Sequence, residues 1–359
     1  MIRELLTELM LIPGLSGHEE RVAAAIAAHL DRMGLPHRSD RLGNLMVTIP
    51  GDPGLPSVMV FTHMDQLGFI MRKVEADGLI RLERLGGVPE RALAAQAVVL
   101  CTGTGDLPGV IANKAHHATT PEEKYKVLPY AELYVDAGFR SASEAHAAGV
   151  RIGTPVTYAP RVMALHGGRI AGTSVDDRAG CAVLLALAAA RVGKPGPTLH
   201  LVWSVQEEFN LRGAVVAAQT LMPDIAIQID LMLATDTPDM ADRGEMALGG
   251  GPGISLYSFH GRGTLNGVIP HPALVRLFEG GAQTAGIPLQ RSAQVGVLTD
   301  LSYVQLLGQG VASIDIGFPL RHSHSPLECC DLGDLEQLTQ LTLLALAAIG
   351  PGFDLGRDI

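Results

Sequence analysis

The length, composition and charge of the chain exclude several classes of protein. With 359 residues, 47% of them hydrophobic, it is long enough for one large domain and a smaller one. A formal net charge of −10, from 27 basic and 37 acidic residues, argues against nucleic acid, whose phosphates bind basic surfaces. The longest uncharged, largely apolar stretch near the middle, residues 179–190, is shorter than the ~20 residues that cross a bilayer. We expect neither nucleic acid nor a membrane as partner.

The N-terminus and the cysteines predict a cytoplasmic location. Glu4 and Glu8 lie where a signal peptide needs an unbroken apolar core. Cys101 and Cys181 are isolated and the other two cysteines are neighbours, a spacing unlike a secreted disulfide framework or a Cys-x-x-Cys zinc site. We expect all four to be reduced thiols.

Two helices followed by two strands are predicted at the start of the chain. The first helix follows from apolar residues at helical spacing, and Ser16 with Glu19 has the form of a capping box that opens the second. The two strands flank a Pro- and Gly-rich turn, and the second leads directly to His63. In chain order these are a helix over residues 2–9, a helix opened by residues 16–19 that runs through residue 30, and strands over 43–49 and 57–62.

Residues 66–161 have a different pattern, which predicts an inserted β domain. Short β-like runs alternate there with Gly, Pro and polar turns, and one helix-like segment covers residues 141–148. The remaining residues, 1–65 and 162–359, would form one discontinuous domain joined to the insertion by short hinges.

Helices and strands alternate after residue 177, which predicts an α/β domain with helices on both faces of a mixed sheet. Ligands of such sheets bind beyond the carboxyl ends of the strands, and four of the five candidate ligand groups fall at predicted strand ends. The predicted elements are helices over 178–192, 212–221, 274–285 and 332–349, and strands over 198–205 and 225–231.

Glu207 and Glu208 follow the apolar run of residues 199–205. Two buried carboxylates must be paired, protonated or bound to a cation, because an unpaired buried charge costs several kcal/mol. Imidazole and carboxylate side chains suit zinc, cobalt or manganese. Similar residues follow other apolar stretches: His63, Asp65, Asp176, Asp177, Asp230, His322 and His324.

Each of these elements alone has an ordinary structural explanation. The Asp pair at 176–177 could cap a helix, the Glu pair at 207–208 could lie in a solvated loop, and a His-x-Asp after a strand more often belongs to a turn. Their coincidence favours a two-metal hydrolase, which needs a bridging carboxylate, further ligands on each ion and a separate base.

Five segments carry a resemblance to a known family. They are His63-Met64-Asp65, Val175-Asp176-Asp177-Arg178, Glu207-Glu208-Phe209-Asn210-Leu211-Arg212-Gly213-Ala214, Ile229-Asp230 with Asp236-Thr237-Pro238, and Arg321-His322-Ser323-His324-Ser325-Pro326. Together they resemble the TET-type dinuclear metallo-aminopeptidases, which include glutamyl and deblocking aminopeptidases. The resemblance runs from the N-terminal helices to near the C-terminus. It implies a metallopeptidase domain in which residues 66–161 form a small β-barrel-like, PDZ-like insertion for oligomerisation or substrate access.

The resemblance also implies a metal centre. It predicts two divalent metal ions per chain, with zinc favoured and cobalt or manganese as alternatives. One ion would be held by His63 and Asp230 and the other by Glu208 and His324. Asp176 would bridge both ions.

Catalytic roles follow from the same resemblance. Glu207 would be the general base, taking a proton from the water held between the two ions. Asp65 would hydrogen-bond the preceding histidine ligand and fix its tautomer. Asp177 and Asp236 are candidate supporting residues, whereas His322 is expected outside the ligand set.

We therefore predict a metal-dependent aminopeptidase that removes N-terminal residues from peptides. The resemblance also implies self-association into a large homo-oligomer, such as the tetrahedral dodecamers of the family. Three positions depart from the family pattern: Asn210 and Leu298 replace glycines and Gln66 replaces a glutamate. These departures affect loop geometry and substrate preference more than the ligands.

Other functions stay open at this point. A metallo-carboxypeptidase or deacylase of the same fold would differ only in its pocket. A two-carboxylate glycosidase is less favoured, since sugar sites usually offer stacking aromatic residues and the chain is 4% aromatic. A non-catalytic assembly protein would be expected to lack some of the ligands.

The identity of the residue that is removed is also open. Arg243, Arg262, Arg291 and Arg321 could favour an acidic residue. Salt bridges and solvated surface explain these arginines equally well.

Overall fold

The structure, a computed structural model, describes residues 1–261 and 265–357. It contains a mixed sheet of nine strands, a closed barrel of six strands and a third sheet of three strands. Helices cover both faces of the nine-stranded sheet. The predicted α/β class, with a mixed sheet and a small β barrel, is confirmed.

The described residues form eight α-helices and eighteen strands. The helices are α1 (Ile2–Met10), α2 (Glu20–Arg32), α3 (Ala142–Ala147), α4 (Val175–Arg191), α5 (Gly213–Leu221), α6 (Pro272–Ala285), α7 (Leu301–Val304) and α8 (Leu332–Ala348). The strands are β1 (His37–Ser39), β2 (Leu45–Ile49), β3 (Val58–His63), β4 (Gly68–Val74), β5 (Ile80–Leu85), β6 (Ala97–Thr102), β7 (Gly105–Ile111), β8 (Val135–Asp136), β9 (Pro155–Tyr158), β10 (Val162–Ala164), β11 (Arg169–Gly172), β12 (Leu199–Ser204), β13 (Ile225–Leu233), β14 (Gly253–Phe259), β15 (Gly267–Val268), β16 (Gln290–Val295), β17 (Ala312–Leu320) and β18 (Glu328–Asp331).

The nine-stranded sheet has four parallel strands at its centre. Its order is β1-β2-β12-β3-β13-β17-β14-β15, with β16 paired to β14, and β12, β3, β13 and β17 run parallel. Every residue of β3 and β17 is buried. Strands covered on both faces need long apolar runs, and parallel strands bring their carboxyl ends to one edge of the sheet. Both properties determine where polar side chains can gather.

Two groups of helices cover the sheet. On one face α4 packs against β3 and β13 and is itself covered by α1, α2 and α8, in a core that includes Val60, Leu187 and Leu338. On the other face α5 and α7 pack over a core that includes Phe61 and Leu301. Val60 and Phe61 are consecutive residues of β3 that point to opposite faces, as a strand requires.

The second helix does not begin as the sequence predicted, and the predicted capping box is wrong. No side chain caps the start of α2. The Ser16 hydroxyl donates to the Asp65 carboxylate, and the Glu19 carboxylate accepts hydrogen bonds from the backbone N–H groups of Gly17 and Gln206. Both side chains hold loops at the edge of the sheet rather than the helix end.

The barrel lies between Gly68 and Tyr158 in the chain, with the strand order β4-β5-β8-β7-β6-β9. It has a core of its own, which includes Phe69, Leu100 and Val135. All six strands lie within residues 66–161, and the boundaries of the inserted domain stay a prediction.

Two further features concern the cysteines and the helices. The four cysteines all lie in the described part of the chain and are free thiols. None of the described helices is long and apolar enough to cross a membrane.

The close approach of α4 to β3 depends on Gly180. A Cβ atom there would lie 2.2 Å from Thr62 Oγ1 and 2.4 Å from Asp177 Oδ2. We predict that Gly180→Ala lowers the free energy of unfolding by about 1–3 kcal/mol, because the helix must move away from the sheet. Chemical denaturation would measure this loss.

Gly280→Ala in α6 is the matched control. A Cβ atom there meets nothing within 4 Å. This substitution should stabilise the protein by about 0.5–1 kcal/mol, since alanine has less backbone freedom to lose. Equal effects of the two substitutions would contradict the packing argument.

Candidate metal centre

The five predicted metal ligands line one cleft with a volume of about 560 Å³. His63 is the last residue of β3, Asp230 lies in β13, and Glu208 follows β12. Asp176 lies at the start of α4, and His324 follows β17. Parallel strands and the segments that follow them therefore supply four of the five candidate ligands.

These five residues form two groups that share Asp176. One group is His63, Asp176 and Asp230, the other is Asp176, Glu208 and His324, and in each the ligand atoms lie within 4.8 Å of one another. Asp176 Oδ1 is 3.1 Å from His63 Nε2, whereas Asp176 Oδ2 is 3.6 Å from His324 Nε2. The two oxygens of one carboxylate thus face two different groups, as a bridging ligand requires.

The chemistry of the cleft fits divalent cations. Imidazole and carboxylate donors suit zinc, cobalt or manganese. Burial, together with neighbouring carboxylates, raises the pKa of Glu208 to about 8 and that of Asp230 to about 6. Burial lowers the pKa of His324, but the charges of Glu208 and Asp176 outweigh this effect and raise it to about 9. Bound cations would reverse these shifts by stabilising the ionised carboxylates and the neutral imidazole.

Asp65 holds both a histidine and the glutamate loop. Its Oδ1 lies 3.4 Å from His63 Nδ1, which is longer than a normal hydrogen bond, and its two oxygens accept the backbone N–H groups of Glu207 and Glu208 at 3.0 Å. Burial raises the pKa of Asp65, but the partnership with His63 outweighs this and lowers it. The sequence predicted only the contact with His63, whereas Asp65 also holds the backbone of Glu207 and Glu208.

Glu207 is buried, lines the cleft and does not belong to either ligand group. Burial raises the pKa of its carboxyl well above the ordinary value. The preceding Gln206 has a φ of 57°, and this left-handed turn directs the two glutamates into the cleft beside each other. Glu207 thus lies beside the candidate ligands with a carboxyl group that belongs to neither ligand group.

Glu328 is a buried positioning residue that the sequence reading missed. Its Oε2 accepts the backbone N–H of Asp176 at 3.0 Å, and its Oε1 accepts the backbone N–H of His324 at 2.7 Å. One side chain therefore fixes the backbone at two of the candidate ligands. The sequence did offer one signal for this residue: Glu328 lies two residues after Pro326, the last residue of a segment that resembles the family.

The barrel contributes Gly87 to the cleft. The Gly87 carbonyl oxygen lies 3.1 Å from His324 Nδ1. A carbonyl oxygen can only accept, so Nδ1 carries the proton and Nε2 is left free to bind a metal. A Cβ atom on Gly87 would lie 2.8 Å from His324 Nδ1, which explains why the contact needs glycine.

Three other candidate residues lie outside the two ligand groups. Asp177 accepts hydrogen bonds from the Thr62 hydroxyl and, at 2.9 Å, from the Gly180 N–H, so it supports the start of α4. Asp236 forms a two-pronged ion pair with Arg321 at 2.6 and 2.7 Å. His322 lines a neighbouring recess instead of the cleft.

Two of the departures from the family pattern have clear structural consequences. Asn210 adopts a φ of 66°, a conformation that glycine and asparagine tolerate best. Gln66 is buried and accepts the Gly14 N–H at 3.0 Å, with Arg178 Nη2 3.4 Å away. Leu298 lines the cleft. None of the three displaces a candidate ligand.

Of the arginines considered for substrate recognition, three have structural partners. Arg321 pairs with Asp236, Arg291 pairs with Glu279, and Arg243 donates to the Val295 carbonyl oxygen. Arg262 lies outside the described residues.

Comparison with known proteins agrees with this cleft. A sequence model of the M42 glutamyl aminopeptidase family matches residues 43–341. The putative aminopeptidase SgcX of Escherichia coli strain K12 is 36% identical over 336 residues, which cover 93% of this chain and 90% of the relative. Aminopeptidase APDkam598 from the archaeon Desulfurococcus kamchatkensis has a TM-score of 0.91 at 32% identity, over 98% of this chain and 96% of that one. The Pyrococcus horikoshii TET1 peptidase, described as able to assemble into a tetrahedron or a large octahedral shell, has a TM-score of 0.86 at 27% identity, over 96% and 99%.

The fold and the cleft define a metal-dependent peptide hydrolase. The chain belongs to the M42 peptidase family, whose members are metal-dependent, and it is an aminopeptidase. The predicted family and enzyme class are confirmed.

Removal of metal should make stability depend on pH. Between about pH 5 and 9 the metal-free folded protein holds more protons than the unfolded chain, because the folded pKa values of Glu208 and His324, about 8 and 9, exceed the ordinary values of 4.5 and 6.5. We predict that the free energy of unfolding of chelator-treated protein falls as pH rises through this range. Thermal denaturation from pH 5 to 9 would measure it.

The metal-loaded protein is the first control for this prediction. Bound zinc should largely remove the fall with pH, since the cation stabilises the deprotonated ligands. Glu208→Gln should weaken the pH dependence of the metal-free form by removing one titrating group. Parallel curves for metal-free and zinc-loaded protein would contradict the electrostatic account.

Proposed function

We propose that the protein removes N-terminal residues from peptides by means of two divalent metal ions, with zinc favoured. His63 and Asp230 would hold one ion, Glu208 and His324 the other, and Asp176 both. The observation that carries this proposal is the position of Asp176, whose two carboxylate oxygens face the two ligand groups 3.1 and 3.6 Å from their histidines.

The ions and the side chains of the cleft would have different chemical roles. When bound, the two ions would supply Lewis acidity that activates water near neutral pH and polarises the scissile carbonyl. Glu207 would take the proton of the attacking water and pass it to the leaving amine, so that the proton count balances over one turnover. Its buried position beside the candidate ligands, outside both ligand groups, supports this role.

Other residues would act by positioning the ligands. Asp65 would keep His63 oriented and hold the backbone of both glutamates, and Glu328 would hold the backbone of Asp176 and His324. The free α-amine of the substrate would bind to an ion or to a nearby carboxylate. Cutting would then be confined to the first peptide bond.

We also infer self-association into a large homo-oligomer, such as a tetrahedral dodecamer. The support is the similarity to the Pyrococcus horikoshii TET1 peptidase. The inserted domain, residues 66–161, would serve oligomerisation or substrate access, and its Gly87 and Pro89 line the cleft. The cytoplasmic location stays a prediction.

The first experiment compares free and N-acetylated peptides. Metal-depleted protein should be inactive and should regain cleavage of free N-termini when zinc, cobalt or manganese is added. Peptides with an acetylated N-terminus should remain intact. Cleavage of the acetylated peptides, or of C-terminal residues, would support a deacylase or carboxypeptidase instead.

A substitution at Glu207 tests the proposed base. Glu207→Gln should lower kcat by about 100-fold or more while both ions remain bound, because the amide cannot accept the proton. Single-turnover kinetics and metal analysis would measure the two effects separately. Glu336→Gln, at an exposed position of α8, is the control for loss of a carboxylate and should keep the wild-type kcat. Wild-type turnover by Glu207→Gln would show that the base is another group.

A further inference from the structure

A small side cavity opens next to the proposed metal cleft and has no role in the chemistry described so far. Its volume is about 20 Å³, enough for one water-sized group. The cavity and the cleft share five lining residues: Asp230, Leu231, Leu233, Val297 and Thr299. The side cavity is therefore a branch of the cleft.

Buried acceptors without partners surround this cavity. Asp315 Oδ2, Gln294 Oε1 and Ser258 Oγ have no hydrogen-bond partner among the described residues. Asp315 is 4% exposed, Gln294 7% and Ser258 5%, so the bulk solvent does not compensate for the missing partners. The Thr299 hydroxyl donates to Asp315 Oδ1 at 3.0 Å, which leaves the second oxygen unpaired.

Such a cavity calls for a group that donates hydrogen bonds and carries positive charge. An unpartnered buried acceptor is costly, and an unpartnered carboxylate more so. None of the described residues that line the cavity is Lys, Arg or His. A positively charged donor would therefore come from outside the described residues that line the cavity.

Sheet register gives the distance between this cavity and the metal groups. In the parallel pair of β13 and β17, Asp230 lies opposite Gly317 and Gln228 lies opposite Asp315. Paired residues on neighbouring strands point to the same face of the sheet, and so do residues two apart along one strand. Asp315 therefore faces the same side as Gln228 and Asp230. Strand spacing and rise place their Cα atoms about 8 Å apart. A lysine side chain of about 6 Å from Cα to Nζ, together with one hydrogen bond of about 3 Å, spans a similar distance.

We propose that the side cavity is the end of the pocket for the substrate's first residue and that it takes the primary ammonium group of an N-terminal lysine. This inference rests on the proposed function of the cleft. The aliphatic part of the lysine would lie along the lining that the two spaces share, at Leu231, Leu233 and Val297. The ammonium would donate to Asp315, Gln294 and Ser258.

The shape and charge of the cavity disfavour other residues. An acidic side chain would meet the Asp315 carboxylate. An aromatic ring or a guanidinium group is bulkier than the one water-sized group for which the cavity has room. A norleucine side chain would fit but would leave the three acceptors unpaired.

The test compares lysyl and norleucyl 4-nitroanilides, whose side chains differ mainly in the ammonium group. The zinc-loaded wild-type protein should hydrolyse the lysyl substrate with a kcat/KM at least about tenfold higher, as expected for hydrogen bonds to a charged group. Ornithyl, arginyl and glutamyl substrates should all fall below lysyl. Equal or greater hydrolysis of the norleucyl or glutamyl substrate would overturn the inference.

Two variants connect the preference to the cavity. Asp315→Asn should reduce the ratio of lysyl to norleucyl kcat/KM by about tenfold, since the amide removes the negative charge. Asp334→Asn is the matched control, because Asp334 is also a buried aspartate but lines neither space. The control should keep the wild-type ratio, and an equal change in both variants would contradict a specific role of Asp315.

A binding measurement gives a readout that does not depend on turnover. Calorimetric titration of zinc-loaded protein with L-lysine and L-norleucine should show lysine binding at least about tenfold more tightly. Equal affinities would mean that water alone fills the cavity, which would overturn the inference. The proposed function can fail separately: in that case none of the nitroanilides would be hydrolysed with any of the metals.

Discussion

Repulsion among buried carboxylates is the constraint on which the rest of this structure depends. Asp176, Glu207, Glu208 and Asp230 line one cleft, and burial raises the pKa of three of them, Glu207, Glu208 and Asp230. Parallel strands concentrate these groups, because their carboxyl ends meet at one edge of the sheet. Backbone N–H donors stabilise the surrounding acids, Asp65 among them, but they do not neutralise the cluster. Protonation, which the raised pKa values favour, or bound cations would complete the compensation.

Much of the fold could be predicted, and the errors have physical causes. The helices and the strands of the first half follow from apolar spacing. The long central strand β17 was missed because Asp315, Gly317 and Pro319 interrupt its apolar pattern. Gly317 is required there, since a Cβ atom would lie 1.8 Å from the Asp230 carbonyl oxygen. A local pattern cannot reveal a contact made by the neighbouring strand.

The candidate site was more predictable than its support. The five candidate ligands are polar residues beside apolar strands, a contrast that is visible in a single sequence, and their individual roles were implied by the family resemblance. Glu328 is different because its partners are backbone N–H groups, which carry no residue identity. Ser16 and Glu19 show the same limit, since their spacing fits a helix cap while their partners lie in distant loops. The unpaired acceptors around Asp315 became apparent only from three-dimensional packing.

The contact between Gly87 and His324 joins two parts of the chain that are 237 residues apart. A barrel without ligands of its own thereby fixes the imidazole that the second ion would use. Metal affinity at that position would vary with the placement of the barrel. A zinc titration would then report whether a neighbouring subunit or a long peptide displaces the insertion.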